Sequence, residues 1–427
     1  MRTTSALALA LWGFGCGRGG FATPPSAPEL VEIDTTDEDS NSGGSGSGSE
    51  LPDGPLERPI EVTGVSGGTR NSVFRTTWGL YGAGGNSAGQ LTGSDPSAVR
   101  APVPFGETIG WLAVVTGEDT TCALDPQSRA WCVGQGTSGQ LGNGAFQAES
   151  NLQRVMLDEP IRTLSITADH ACALTEANAV YCWGLNLENQ LAQPAPNTTT
   201  DLAVPARVET QTLFRDVSAG QGHTCAIRLD GTLWCLGRNT DLQCGQGDSS
   251  PVRIVTLTQV GTATDWRSVD VSQATSCAIN AADELWCWGE NTAAQLERDP
   301  ATLMGTGVPQ QIPGSWSAVS TGTFHVCAID LDGSLFCWGR GVEGQLGDGR
   351  SVNSSSRVEP VLSDGPLNES VIAVSGGRFH TCIVTESGEG YCAGQNGDGR
   401  LGNDSTADRL GFFAPVVFPS QPPTSTN

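Results

Sequence analysis

The sequence predicts an all-β protein, a propeller of repeats about 50 residues long. Three observations carry this. A cysteine pair with an internal offset of ten residues recurs six times. Each pair brackets a hairpin signal, and each unit holds about four short strand patterns, the content of one propeller blade.

The pairs are Cys122 and Cys132, Cys172 and Cys182, Cys225 and Cys235, Cys277 and Cys287, Cys327 and Cys337, and Cys382 and Cys392. Their first members follow one another at 50, 53, 52, 50 and 55 residues. In the third unit, His223-Thr-Cys-Ala-Ile-Arg-Leu-Asp-Gly-Thr-Leu-Trp-Cys-Leu-Gly237, alternating apolar runs flank Asp230-Gly231, where glycine accepts the positive φ of a tight turn. The turn lies midway between the cysteines, so they face one another on neighbouring strands, within reach of a disulfide. Zinc is the rival reading, but the CxxC spacing of zinc ligands is absent. Six intra-blade disulfides and an oxidising compartment follow.

The other elements repeat in step. A Val- or Ile-rich run precedes each pair, as in Phe214-Arg-Asp-Val217 and Trp316-Ser-Ala-Val319. Nine residues after the second cysteine stands Leu141, Leu191, Leu296, Leu346 or Leu401, with Cys244 in the third unit. Gln140, Gln190, Gln243, Gln295 and Gln345 precede this position, and Arg400 does so in the last unit. A further short strand follows, with proline expected at its start, as in Pro205-Ala-Arg-Val208 and Pro309-Gln-Gln-Ile312. A seventh unit lacks cysteines. Its Gln90-Leu91 lies 50 residues before the next such motif, and Ser72 and Gly82 are expected where cysteines stand elsewhere. Proline-led strands at both ends, Pro59-Ile-Glu-Val62 and Pro415-Val-Val-Phe418, predict seven blades, with one closed by strands from both termini.

Gly220-Gln-Gly-His-Thr224 and Trp338-Gly-Arg-Gly-Val-Glu-Gly-Gln-Leu-Gly347 resemble the repeat of the regulator of chromosome condensation family. The resemblance runs from about residue 58 to 418 and implies a seven-bladed β-propeller. Paired cysteines depart from the family pattern and are typical of its secreted bacterial members. Glycines of the pattern are replaced at Asn189, Leu242 and Ala294.

Residues 1–16 end in Gly13-Phe-Gly-Cys16 and read as a lipoprotein-type signal peptide, with Cys16 the lipidated residue; Gly13 replaces the usual leucine. Cleavage after Ala22 is the alternative. Residues 17–57 are an acidic Gly/Ser/Pro-rich flexible linker, 58–418 the propeller and 419–427 a disordered tail. The net charge of −24 opposes binding to nucleic acid, and the chain has no lysine, all 22 of its basic residues being arginine.

No catalytic, cofactor or metal-binding set stands out. His170, His223, His325 and His380 share one repeat position, filled by Thr120 and Thr275 elsewhere, and read as strand-end hydrogen-bonding residues. Cys244 reads as a buried free thiol in place of leucine. Trp131, Trp234 and Trp286 are expected to pack between blades. The insertions at 193–203, 241–250 and 351–357 are candidates for a binding face. The expected function is a non-enzymatic, monomeric interaction, adhesion or scaffold propeller, held at the bacterial cell envelope as an outer-membrane lipoprotein or secreted. The expected partner is a protein or an envelope glycan. The alternatives are a secreted inhibitor, since the resemblance extends to a β-lactamase inhibitor of this build, and a polysaccharide-acting enzyme.

Overall fold

The computed structural model describes residues 59–420 apart from 92–94, 107–109, 194–198, 248–250 and 406. The signal peptide, Cys16, the linker and all but the first two residues of the tail lie outside the described residues. Seven antiparallel sheets follow one another along the chain. Blade 1 comprises Val62–Gly67, Asn71–Thr76, Gly79–Gly84 and Val99–Phe105. Blades 2 to 7 span 113–154, 161–207, 214–259, 266–312, 316–358 and 371–415. The described residues contain no helix. The first strands of successive blades touch in a closed circuit, with blade 7 against blade 1. The architecture is a seven-bladed β-propeller.

Within each cystine blade the cysteines sit directly opposite one another, as in Cys225 against Cys235. All six disulfides are closed, each with a Cα–Cα distance of 4.1 Å. The bridge joins the second and third strands and forms part of the apolar layer against the next blade. Cys225, Cys235 and Cys244 of blade 4 pack with Trp266, Val269, Val271 and Trp288 of blade 5. Cys244 is buried, its Sγ donating to the Arg238 carbonyl at 3.2 Å, and burial pushes its pKa up, so the thiol stays protonated.

The cysteine-free blade differs by one residue from its expected alignment. Ser72 pairs with Ala83, and Val73 pairs with Gly82. The positions equivalent to cystine are therefore Val73 and Gly82, nine apart, because a two-residue loop joins Thr76 to Gly79. Gly84 indexes the register, since it has a φ of 107° at the place where Gly237 has 102° and Gly394 has 117°. The room a side chain at Gly82 would need is taken by the end of Leu91.

Two other expectations are corrected. The outer strands begin before their prolines: Pro205 lies inside Leu202–Arg207 and Pro309 inside Gly305–Ile312. Both fall in the irregular stretch of the pairing, opposite the gap between Cys182 and Gly184 or Cys287 and Gly289. A residue with no N–H is tolerated in an edge-strand bulge. The ring does close between the two ends of the chain, but among the described residues no sheet mixes strands from both. Pro59 to Glu61 lead into the inner strand of blade 1, and residues 416–418 leave the outer strand of blade 7. Phe418 then lies edge-on to Phe74 and Tyr81 of blade 1, at 5.6 Å from each ring. Blade 7 also carries an unforeseen addition. The hairpin Val361–Leu362 and Gly365–Pro366 lies along its outer strand, with Leu362 pairing in parallel with Phe413.

Candidate interaction face and channel mouth

The seams between blades explain the repeated polar residues. The hydroxyl of Thr224 in blade 4 donates to the Gln190 carbonyl of blade 3 at 2.8 Å, and His170 Nε2 of blade 3 lies 2.9 Å from the same hydroxyl. Because the hydroxyl proton is committed to the carbonyl, His170 must donate from Nε2 and its Nδ1 is bare. The arrangement recurs as His223 with Ser276 and His325 with Thr381, whose hydroxyls donate to the Gln243 and Gln345 carbonyls. His380 meets Ser72 across the closing seam at 2.9 Å. All four rings are fully buried. Desolvation depresses their pKa values, to about 3 for His170 and His223, about 4 for His325 and well below normal for His380. They are neutral structural links, and they lie between blades rather than around the axis.

Tryptophan reinforces three seams, one of them the His223–Ser276 seam. Trp183, Trp288 and Trp338 are buried, and each donates its ring N–H to a glutamine carbonyl of the preceding blade at 2.8–2.9 Å. Trp131, Trp234 and Trp286 are only half-buried, with Arg228 stacked 3.6 Å from the Trp234 ring. The deep anchors are thus the residues just after the second cysteine, not those just before it. Of those before it, Trp131 packs against the seam between blades 1 and 2 and Trp286 against the seam between blades 4 and 5, as expected.

Strand pairing assigns the loops to faces. His223 pairs with Gly237 and Arg238 with Arg253, so the loop between the first and second strands and the loop between the third and fourth share one face. The three insertions all lie in loops of the second kind, or at their junctions with the outer strand, and 194–198 and 248–250 lie outside the described residues. Exposed apolar side chains gather on this face. Val252 (70% exposed), Met304 (72%) and Val352 (52%) immediately precede or lie just before the outer strands of blades 4, 5 and 6. Leu187 (56%) and Val342 occupy equivalent places in the Gln-Leu loops of blades 3 and 6. Beside them Phe324 and Phe379 stack at 5.8 Å, with the Arg340 guanidinium over both rings. Ion pairs link Arg70 to Asp119, Arg253 to Glu188 and Arg340 to Glu343 on the same face.

At the centre of this face is a cavity of about 140 Å³ lined by all seven blades. One residue per blade, two before the histidine position, forms a ring: Thr69, Glu118, Ala168, Gln221, Gln273, Thr323 and Arg378. Below it runs a collar of backbone one residue earlier. A Cβ at Gly68, Gly117 or Gly220 would come within 2.3 Å of a carbonyl oxygen of the next blade, which is why glycine recurs three residues before the histidine. Arg378 and Glu118 face each other at 3.7 Å. Burial, together with Asp119 and Asp169, raises the Glu118 pKa. Among the described residues no group of three or more His, Cys, Asp or Glu side chains is placed to hold a metal.

A closed ring of seven sheets, six of four strands and one extended to six by the added hairpin, defines a β-propeller scaffold. Profiles of the regulator of chromosome condensation (RCC1) repeat match residues 178–227 and 332–384, and also 161–190, 214–246, 316–345 and 371–400. The matched stretches are RCC1 repeats, and they fall in blades 3, 4, 6 and 7. The chain is 27% identical to the ultraviolet-B receptor UVR8 of Arabidopsis thaliana over 371 residues, 82% of this chain and 81% of that protein. It is 26% identical to the human E3 ubiquitin-protein ligase HERC2 over 352 residues, 77% of this chain and only 7% of that protein. Among solved structures it resembles Prp20p of Saccharomyces cerevisiae, with a TM-score of 0.69, 17% identity and coverage of 82% and 86%. For human WBSCR16 the TM-score is 0.68 and the identity 19%, with coverage of 78% and 88%. Both structural likenesses are likenesses of fold.

Proposed function

We propose that the protein is a non-catalytic binder exported to the bacterial cell envelope, tethered through Cys16 and the acidic linker, and that it docks a protein partner on the face described above. The observation that carries the binding reading is the set of exposed apolar residues at matching repeat positions of consecutive blades, Val252, Met304 and Val352. Exposed apolar patches rimmed by polar groups mark interaction sites, and arginine and aromatic residues such as those at Phe324, Arg340 and Phe379 are favoured at interface centres. Prp20p is described with binding to Gsp1p and histones, so one propeller of this fold serves protein partners. The six disulfides support export. A secreted inhibitor is the second reading, resting on the stacked Phe324 and Phe379.

A photo-cross-linking residue at Met304 should capture a partner in intact envelopes, whereas one at Leu331, on the hairpin face, should not. Equal capture from both positions would defeat the assignment of the face. Cys16→Ser should move the protein from the membrane to the soluble fraction; wild-type protein found soluble would leave the Ala22 cleavage reading in its place.

A further inference from the structure

The cavity at the channel mouth is a second, independent site. The ring of residues at its mouth carries one acid, one base, two primary amides and two hydroxyls, each from a different blade. The side chains of Thr69, Gln221, Gln273 and Thr323 are half-buried and make no hydrogen bond to protein among the described residues. Seam residues at neighbouring positions behave differently: the hydroxyls of Thr116, Thr224 and Ser276 are all engaged. The free donors and acceptors therefore converge on the cavity. Apolar lining is limited to Ile166, Ala168 and backbone, which does not suit a greasy ligand.

Charge narrows the class further. Glu118 and Arg378 cancel, so the lining favours an uncharged guest. Their 3.7 Å separation is longer than a hydrogen bond, and a hydroxyl between them would donate to the carboxylate and accept from the guanidinium. The Arg378 guanidinium is held over the Phe379 ring at 5.1 Å, which fixes it at the mouth. The two planar amides can each donate and accept, as adjacent hydroxyls require. A volume of about 140 Å³ holds on the order of ten waters, the room a single sugar ring and its hydroxyls displace. The collar below leaves no room for a side chain between neighbouring blades, so the polar groups that a guest can meet are those of the ring above it.

We propose that the channel mouth binds one uncharged pyranose residue through Glu118, Gln221, Gln273 and Arg378. The site shares its face with the protein-docking residues but does not depend on them.

The test uses saturation-transfer NMR and calorimetry on the full propeller with methyl glycosides of glucose, galactose, mannose, rhamnose and N-acetylglucosamine. At least one should bind and shift the side-chain amide signals of Gln221 and Gln273. Gln221→Ala with Gln273→Ala should abolish binding, and Arg378→Ala should weaken it about tenfold or more. Met304→Glu should leave sugar binding intact, which separates this site from the docking face. Unchanged thermal unfolding of the variants keeps the loss attributable to the site. Silence from all five glycosides, persistence of binding in the double variant, or selective binding of free glycine or glutamate in place of sugars would each overturn the proposal.

Discussion

Blades 1 and 4 are built from the same four strands, yet blade 4 is locked by Cys225–Cys235 and blade 1 has Val73 and Gly82 in that place. Blade 4 joins its neighbour through His223 and Ser276, while blade 1 uses the Asn71 side chain, which donates to Thr116 Oγ1 at 2.9 Å. Blade 1 also has the shorter hairpin. It still reaches the same geometry, with its Gly84 in the same left-handed conformation and Phe74, Tyr81 and Leu91 buried. The comparison teaches that the apolar seam and the turn fix the blade, and that the cystine and the imidazole are reinforcements laid over them. The two reinforcements respond to different treatments, reduction and acid, so each can be removed alone.

Acid should have the largest effect. The four buried imidazoles are neutral in the folded chain and have depressed pKa values, whereas in the unfolded chain they titrate near 6.5. The unfolded state therefore takes up protons first as pH falls. Their contribution is complete above about pH 6.5 and is lost below it, at about 1.4 kcal/mol per pH unit for each ring, until the folded values near 3 to 4 are reached. Denaturant unfolding at pH 7.5 and at pH 5 should show a steep drop. Hydrogen exchange at pH 5 should open the seams holding His170, His223, His325 and His380 and spare the Asn71–Thr116 seam. Uniform opening would break the contrast.

Loss of one cystine comes next. Cys225→Ala with Cys235→Ala should cost about 3 kcal/mol, measured by urea unfolding. At neutral pH a reductant should speed exchange in blades 2 to 7 and leave blade 1, already the fastest to open, unchanged. The converse change sharpens the comparison. Val73→Cys with Gly82→Cys should form a seventh disulfide and add about 2 kcal/mol, once the end of Leu91 shifts to admit the new side chain. Ser72→Cys with Gly82→Cys should not cross-link, because those residues are not partners. Mass spectrometry without reduction decides between the two registers.

The smallest effect concerns the replaced glycines. Asn189, Leu242 and Ala294 have φ values of 65°, 66° and 71°, where Gly139 and Gly344 stand in other blades at 81° and 86°. A left-handed leucine costs roughly 1–2 kcal/mol, partly offset by the extra freedom glycine gives the unfolded chain. Leu242→Gly should therefore stabilise by about 1 kcal/mol, seen as a higher thermal midpoint. A lower midpoint would mean that the leucine side chain contributes packing that outweighs its backbone strain.

Much of this architecture was legible because the cysteines index the repeat. The offset of ten about an Asp-Gly or similar turn dictates opposed partners, and the interval between pairs counts the blades. Where the index is missing, the reading slipped: with no cysteine in blade 1, a one-residue shorter hairpin moved Ser72 into the place of Val73. The proline-led strands misled for a related reason, since a bulge interrupts the ladder just where proline sits and hides the residues before it. The histidines were legible as seam residues because they share a register position. The mouth ring was not. Thr69, Glu118, Gln221 and Arg378 occupy one repeat position but have unlike chemistries, so no pattern joins them until the blades are arranged around an axis.

The unbroken passage of the chain through each blade has a topological consequence. The seam between blade 7 and blade 1 uses the same kind of contact as its neighbours: Gly67 N–H donates to Ser375 Oγ at 2.9 Å, as Gly376 N–H donates to Ser320 Oγ. The ring therefore has no privileged joint. Linking residue 420 back to residue 59 and opening the chain between any two other blades would leave every sheet whole. A permuted chain of this kind has the same set of contacts to satisfy, and an in-frame duplication or deletion of one repeat alters the number of sectors without requiring a new sort of closure.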